Sequence, residues 1–187
     1  MLLEQLHEEV LRCAKCPLSQ GRANAVPGEG SLSAKVMFVG EGPGAEEDRL
    51  GRPFVGPAGK LLDELLLHAG LPRPAVFITN IVKCRPPGNR EPQPLEVAAC
   101  RPYLVSQIAL IRPAVICPLG SPALRTLLGK DIQISHVHGH AFKHRGMVYM
   151  PLYHPAAALH KGNLRQTLFD DMLALRRTLE ELSVRVA

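Results

Sequence analysis

Residues 34–48, AKVMFVGEGPGAEED, contain the pattern that decides the fold. The segment 34–40 is almost entirely apolar, which is typical of a short buried strand. Glycines at positions 40, 42 and 44 then form a turn, and acidic residues follow it. Because acidic side chains are favoured in the first turn of a helix, this pattern predicts a strand, a glycine turn and a helix in succession.

Short apolar runs alternate with helical patterns along the rest of the chain. Strands are predicted at 34–40, 75–82, 113–120 and within the turn-rich segment 131–153, and helices at 2–12, 58–70, 94–112, 121–129 and 163–184. This alternation predicts an α/β fold, with three α/β/α layers around a central, mainly parallel four-stranded sheet. The length favours a single domain over residues 1–187.

Composition limits the class of partner and the compartment. The net charge of +5 favours an anionic partner. No apolar run reaches the roughly 18 residues that span a membrane, so we expect no membrane partner. The N-terminal MLLEQLHEEVLRC lacks a basic segment followed by an apolar one, so we expect a cytoplasmic protein. In a reducing compartment, cysteines bind metals or clusters more often than they form disulfides.

The strand ends predict where a ligand binds. In open parallel sheets, ligands bind beyond the carboxyl ends of the strands. The residues just past the predicted strands are Gly40–Gly44, Asn80, Gly120–Ser121 and His154. We therefore expect these residues, which are far apart in sequence, to converge in space.

Four of the five cysteines form a candidate metal site. Cys13 and Cys16 form a CxxC pair after the first helix, Cys84 follows the second strand, and Cys100 lies on the next helix. Four unrelated buried thiols are one alternative, and a redox CxxC is another that its place after a helix disfavours. The spacing alone leaves a zinc site and an iron–sulfur cluster almost equally supported. Cys117 lies in an apolar strand and is predicted to be a core thiol.

The acidic turn argues against a phosphate ligand. No Lys–Ser/Thr pair follows the glycines, and the acids at 46–48 would repel a pyrophosphate. Glu46 and Asp48 are predicted to cap the following helix. Glu41 lies inside the turn, where it is either a solvated loop acid or a functional carboxylate. A carboxylate here suits cleavage of a bond to a sugar's anomeric carbon, because positive charge develops on the sugar.

Three further side chains are candidates for binding a base. The amide of Asn80 can accept from a ring N–H and donate to a carbonyl, which matches uracil and mismatches cytosine, although a turn-forming Asn is the alternative. His154 precedes Pro155 and could donate to a carbonyl oxygen that becomes anionic, although lone histidines are usually structural. Phe54 lies in a loop and could stack on a base, although a core position is the default.

Four motifs together carry a resemblance to a known family. They are GEGPG (40–44), GRPFVGPAG (51–59), TNIVKCRPPGNR (79–90) and HPAA (154–157). With the four cysteines, they make the chain resemble the family-4 uracil-DNA glycosylases, the iron–sulfur, thermostable type of the uracil-DNA glycosylase superfamily. The resemblance covers nearly the whole chain, from Cys13 to the terminal helix.

The resemblance implies a 4Fe–4S cluster and a uracil pocket. The cluster ligands would be Cys13, Cys16, Cys84 and Cys100, which would tie the N-terminal helix to the body of the protein. The uracil pocket would be formed by Glu41, Gly42, Pro43, Glu47, Phe54, Asn80 and His154. DNA would contact Pro155, Leu159 as a loosely matched wedge, and a basic loop containing Lys83, Arg85 and Arg90. The substrate would be single- or double-stranded DNA containing uracil, and the protein a monomer at the nucleoid of a prokaryote.

The implied reaction is hydrolysis of the N-glycosidic bond of deoxyuridine, which leaves an abasic site for base excision repair. The best-known branch of the superfamily has Asp at the position of Gly42 and Tyr at that of Gly44, and both side chains are absent here. We therefore expect Glu41 to stabilise the sugar cation or orient water, His154 to stabilise the departing uracil, and Glu47 to narrow the pocket against thymine. The alternatives are an inactive nucleic-acid-binding protein with the same fold and cluster, and an enzyme acting on free nucleotides.

Overall fold

The computed structural model describes residues 2–186, and its centre is a mixed six-stranded sheet. The strands are β1 (Glu29–Gly30), β2 (Val36–Gly40), β3 (Phe77–Asn80), β4 (Val115–Pro118), β5 (Phe142–His144) and β6 (Met147–Tyr149). Their order in the sheet is β1-β3-β2-β4-β6-β5. The four central strands are parallel, and the edge strands β1 and β5 are antiparallel to their neighbours. The predicted parallel four-stranded sheet is confirmed for the central strands, and two edge strands extend it.

Helices precede, separate and follow these strands along the chain. They are α1 (Leu3–Leu11), α2 (Leu18–Gly21), α3 (Ala45–Leu50), α4 (Pro57–His68), α5 (Pro94–Ile111), α6 (Ser121–Leu128), α7 (Ile134–Val137), α8 (Pro155–Ala158) and α9 (Gly162–Glu181), with 3-10 turns at Arg73–Ala75 and Pro87–Asn89. The five predicted helices are confirmed to within a few residues. The prediction that 131–153 forms strands is wrong for its first part, where α7 precedes the β5–β6 hairpin.

The side chains of β2 point alternately to the two faces of the sheet, and helices cover both faces. Val36 and Phe38 belong to the core that α4 and α9 cover, whereas Met37 and Val39 belong to the core beneath α5 and α6. Successive side chains of a strand point to opposite faces, so an apolar run such as this one requires helices on both sides of the sheet. The predicted α/β/α arrangement is therefore confirmed.

Helix α1 packs against α5 near the cysteines. Leu6 and Val10 of α1 are buried in a cluster that also contains Tyr103 of α5. The first helix is thereby packed onto the body of the protein by apolar contacts. In the part of the chain that the structure describes, no helix has the length and hydropathy needed to cross a membrane.

Candidate functional site

A pocket of about 420 Å³ opens beside the carboxyl ends of β2 and β3. Its lining includes Glu41, Gly42, Pro43, Gly44, Glu47, Phe54, Ala58, Asn80, Pro86, Asn89, Arg90, His154 and Ala156. The predicted strand-end residues converge in part. Glu41–Gly44, Asn80 and His154 line the pocket, whereas Gly40, Gly120 and Ser121 do not. Gly120 still lies against His154, because a Cβ at Gly120 would come within 3.0 Å of the His154 Cβ. A side chain at Gly120 would therefore crowd His154.

Asn80 lines this pocket and carries an unpaired side-chain acceptor. The residue ends β3 and is only 1% exposed. Its side-chain Oδ1 is buried and has no hydrogen-bond partner within the described chain. Gly40 on β2 makes room for it, because a Cβ at Gly40 would overlap Oδ1. Since buried polar atoms are nearly always paired, an orphaned acceptor in a pocket indicates a ligand with a matching donor.

His154 is held as a neutral imidazole. Its Nδ1 accepts the Ala156 N–H at 3.0 Å, so Nε2 carries the proton of the neutral ring. Burial lowers the pKa of His154 to about 4, and the nearby Glu47 carboxylate opposes this shift only in part. At neutral pH the ring therefore has one remaining donor, Nε2–H.

Phe54 is fixed in an unusual backbone conformation beside the pocket. Its φ of 49° lies in the left-handed region, which a bulky residue rarely adopts. Its ring stacks on that of His154, with centroids 5.5 Å apart and an interplanar angle of 27°. Gly59 of α4 lies so close that a Cβ there would overlap the Phe54 carbonyl. Strain of this kind persists where surrounding contacts enforce it, often at ligand sites.

Arg73 supplies contacts that enforce this conformation. Its guanidinium donates to the Phe54 carbonyl at 3.0 Å and to the Pro53 carbonyl at 2.6 Å. Two carboxylates hold the guanidinium in turn, Glu29 at 2.8 Å and Asp63 at 2.7 Å. The β1 edge strand, which sequence reasoning missed because it has only two residues, is what carries Glu29 to this place.

Glu41 lies at the end of β2 and lines the pocket. Burial raises the pKa of its carboxyl group, and the negative charge of Glu91 raises it further, while Arg125 acts in the opposite direction. Glu91 and Arg125 are themselves an ion pair of 2.6 Å. The position inside the turn is the one predicted for a functional carboxylate.

Glu47 binds backbone rather than projecting freely into the pocket. Its carboxylate accepts N–H groups of Gly44 at 3.1 Å, Val55 at 2.9 Å and Gly56 at 2.8 Å. The side chain thus caps α3 and joins it to the Phe54 loop. It still lines the pocket, so its role as a gate against thymine stays a prediction.

The other two acids of the turn differ from each other. Glu46 is exposed and pairs with Arg49 one turn along α3 at 2.7 Å, as a first-turn acid can. Asp48 lies in the first turn of α3 as predicted, but its carboxylate does not bind the helix backbone. Asp48 is buried, and its carboxylate accepts the Ala23 N–H at 2.9 Å and the Asn24 N–H at 3.3 Å. It fixes a distant loop against α3, which local sequence does not reveal.

The four predicted ligand cysteines lie around one small cavity, which Cys13, Cys16, Cys84 and Cys100 all line. Two sulfurs accept hydrogen bonds, Cys84 from the Arg22 guanidinium at 3.0 Å and Cys100 from the Lys83 N–H at 3.2 Å. Such N–H contacts are typical of thiolates that hold an iron–sulfur cluster. Within residues 2–186, no group of three or more Cys, His, Asp or Glu side chains meets the geometry for a metal ion.

Cys117 lies apart from these four, buried in β4 as predicted. Burial strongly raises the pKa of its thiol. It is therefore a core residue.

The predicted basic loop is only partly at the surface. Arg90 lines the pocket and pairs with the buried carboxylate of Glu96 at 2.7 Å. Arg85 donates to the side chain of Asn89 at 2.8 Å. The prediction that Lys83 lies beside DNA is wrong, because this residue is 1% exposed. Its side chain turns inward, and its long apolar stem makes that burial possible.

The loop after β6 contains the two other predicted DNA contacts. Pro155 is buried as the first residue of α8, and Leu159 follows that helix with 39% of its surface exposed. Ala156, between them, lines the pocket. Asn89 also lines the pocket, and it was not predicted from the sequence. A signal was present, because Asn89 follows Gly88 in a proline-rich turn. Asn is one of the residues that tolerate a positive φ in turns, and its φ is 56°.

Comparisons with known proteins show the family of the chain. A family model described as the uracil DNA glycosylase superfamily matches residues 27–175. The chain is 48% identical over 183 residues to a type-4 uracil-DNA glycosylase of Sulfurisphaera tokodaii, covering 93% of this chain and 83% of that protein. It is 49% identical over 180 residues to one of Pyrobaculum aerophilum, covering 92% of each chain. It is 46% identical over 175 residues to one of Thermotoga maritima, covering 91% of each.

Proposed function

The chain belongs to the uracil DNA glycosylase superfamily, and from this premise we propose that it is a monofunctional uracil-DNA glycosylase. It releases uracil from DNA by hydrolysing the N-glycosidic bond and leaves an abasic site for base excision repair. The observation that carries this proposal is the buried, unpaired Oδ1 of Asn80, a residue that lines the pocket.

The amide of Asn80 selects uracil. Its Oδ1 accepts the N3–H of uracil, and its NH₂ donates to O4. Cytosine has an acceptor at N3 and a donor at position 4, so it would leave buried groups unpaired, which gives strong discrimination. The aromatic ring of Phe54, held beside the pocket, provides a surface on which a flat base can stack.

Two residues stabilise the charges that develop in the reaction, His154 that on the base and Glu41 that on the sugar. As the C1′–N1 bond breaks, the electron pair leaves with uracil, and the Nε2–H of neutral His154 donates to the O2 that becomes anionic. Positive charge develops on the sugar, where the Glu41 carboxylate stabilises it or orients a water molecule. Water adds to C1′ and its proton passes to solvent or to Glu41. The uracil anion takes up a proton from solvent, so that uracil and an abasic site remain.

The DNA backbone is bound beside this pocket. Arg85 and Arg90 contact phosphates, a sequence-independent contribution that weakens with salt. Deoxyuridine is rotated out of the stack at a cost of a few kcal/mol, and Leu159, after Pro155 and α8, enters the space it leaves. The enzyme acts as a monomer on single- or double-stranded DNA, at the nucleoid of a prokaryotic cell.

A 4Fe–4S cluster is the proposed cofactor, held by Cys13, Cys16, Cys84 and Cys100. The convergence of four thiols on one cavity supports it, and so do the N–H groups that contact two of the sulfurs. When bound, the cluster supplies a structural crosslink between the segment after α1 and the segments carrying Cys84 and Cys100.

The test is strand cleavage at an abasic site. Oligonucleotides of one sequence, with uracil, cytosine or thymine at one position, are incubated with the protein and then treated with alkali. The proposal predicts a break only at uracil. Binding without a break would indicate an inactive nucleic-acid-binding protein, and release of uracil from free deoxyuridine nucleotides alone would indicate a nucleotide enzyme.

A further inference from the structure

Lys83 is a lysine whose side chain is buried in the core. The residue is 1% exposed, and its Nζ donates to three uncharged acceptors. They are Thr79 Oγ1 at 2.5 Å, Gln107 Oε1 at 2.7 Å and the Asn80 carbonyl at 2.8 Å. A lysine is rarely fully buried, and an apolar residue of similar size would cost less to bury. The role of Lys83 therefore depends on the groups that its Nζ binds.

Two of the three acceptors belong to a closed polar network in the core. Thr79 Oγ1 donates to the Pro27 carbonyl at 3.0 Å, and Gln107 Nε2 donates to the same carbonyl at 2.7 Å. Thr79 and Gln107 are both fully buried. This part of the network joins β3 to α5 and to the segment before β1, but none of it contacts the pocket.

The third acceptor is different, because it belongs to the residue that lines the pocket. Asn80 is the last residue of β3, and the chain beyond it leaves the strand. The Lys83 Nζ fixes the Asn80 carbonyl, and with it the peptide plane next to the Cα that carries the side chain. The Asn80 Oδ1 on that side chain makes no hydrogen bond within the described residues, so hydrogen bonding does not hold it in place.

The backbone of Lys83 is fixed at the same time. Its N–H donates to the Cys100 sulfur at 3.2 Å, and its carbonyl accepts the Val26 N–H at 2.7 Å. Lys83 thus lies between the cysteine-lined cavity and the base pocket and contacts residues of both. No other contact described here joins a candidate ligand cysteine so directly to Asn80.

We infer that Lys83 is a positioning residue for base recognition, which orients Asn80 by binding its carbonyl and couples that orientation to the cysteine site. The inference rests on the proposed function, since Asn80 must read uracil for its orientation to matter. A small displacement of a group that positions a substrate can reduce the rate on the order of 10²-fold.

The test compares Lys83→Met with Gln107→Met. Both substitutions place a methionine in the same buried network, but only the first removes the contact with Asn80. The measurements are kcat/KM on a uracil-containing oligonucleotide, the Kd of free uracil by calorimetry, and Tm. We expect Lys83→Met to lower kcat/KM on the order of 10²-fold and weaken uracil binding about 10-fold, and Gln107→Met to change each less than about 3-fold. The two variants should differ little in Tm.

Equal losses of activity and uracil affinity in the two variants would overturn the inference, because the network would then act only through stability. An inactive wild-type protein would instead overturn the proposed function. If Lys83→Met does not fold, the double variant Lys83→Met/Gln107→Met, which removes the facing amide as well, is compared with Gln107→Met. A double variant that falls below Gln107→Met by the same fold-changes in kcat/KM and uracil affinity supports the inference. Equal kcat/KM and equal uracil affinity in the two proteins contradict it.

Discussion

The ring of Phe54 stacks on the imidazole of His154, with 5.5 Å between the centroids. The two residues come from two separate loops, one after α3 and one after β6. Their contact means that the aromatic wall of the pocket also supports the group proposed to stabilise the leaving base. Residues that hold the Phe54 loop should therefore affect both binding and catalysis.

Arg73 is one such residue. Arg73→Lys removes the guanidinium that spans the Phe54 and Pro53 carbonyls, so the loop should lose its enforced conformation. Because stacking of a base on an aromatic ring contributes about 1–3 kcal/mol, we expect KM for a uracil-containing oligonucleotide to rise at least about 5-fold. Steady-state excision kinetics measure this.

Arg52→Lys is the matched control. Arg52 binds the same Glu29 carboxylate at 2.8 Å but is exposed at the surface. The KM of Arg52→Lys for the uracil-containing oligonucleotide should stay at the wild-type value. A similar rise in both variants would show that the Glu29 pairs affect the enzyme through general stability.

Glu47 should be required chiefly for structure. In Glu47→Gln the new NH₂ group would face backbone N–H groups now bound by the carboxylate. Leaving buried donors unpaired costs about 1–3 kcal/mol, which urea unfolding can measure. If Glu47 is instead mainly a gate, Glu47→Ala will excise thymine from a T·G oligonucleotide, and Glu47→Gln will unfold at the wild-type urea concentration.

The pH profile should depend on Glu41 and its charged neighbours. Glu41 acts as a carboxylate, so kcat/KM should fall as pH decreases through its pKa, which lies above the ordinary value of 4.5. The negative charge of Glu91 raises this pKa and Arg125 lowers it. Glu91→Gln should therefore shift the acid limb to lower pH, and Arg125→Gln should shift it to higher pH.

Shifts of the acid limb in the same direction for both variants would contradict this assignment. An acid limb that survives in Glu41→Gln would show that another group titrates. His154 should contribute no limb near neutral pH, because its pKa is lowered to about 4.

The cysteine site makes a spectroscopic prediction. Cys84→Ala or Cys100→Ala should abolish the visible absorbance expected of a 4Fe–4S cluster and lower Tm by at least about 5 °C, since a bound cluster stabilises the fold. Cys117→Ala also removes a buried sulfur but lies in β4, away from the cavity, so its absorbance should remain. Purified protein with bound zinc and no visible band would contradict the cofactor proposal.

The sequence predicted those parts of the site that depend on strand order. Asn80 and His154 could be placed together because parallel strands end at one edge of a sheet. Contacts made by side chains between distant segments could not be predicted. Asp48 has the sequence context of a helix cap, yet it binds a loop about 25 residues earlier, and Lys83 has the context of a surface loop, yet it is buried.

Recognition of uracil by the amide of Asn80 is central to the proposed function. The most direct measurement is single-turnover excision of uracil and of cytosine, each in the same oligonucleotide, by wild type and Asn80→Asp, with the exposed Gln20→Glu as control. We predict that Asn80→Asp loses on the order of 10²-fold or more in the rate on uracil, because a donor facing the base is lost, while its relative preference for cytosine rises. Wild-type rates on both bases in Asn80→Asp would contradict this role of Asn80.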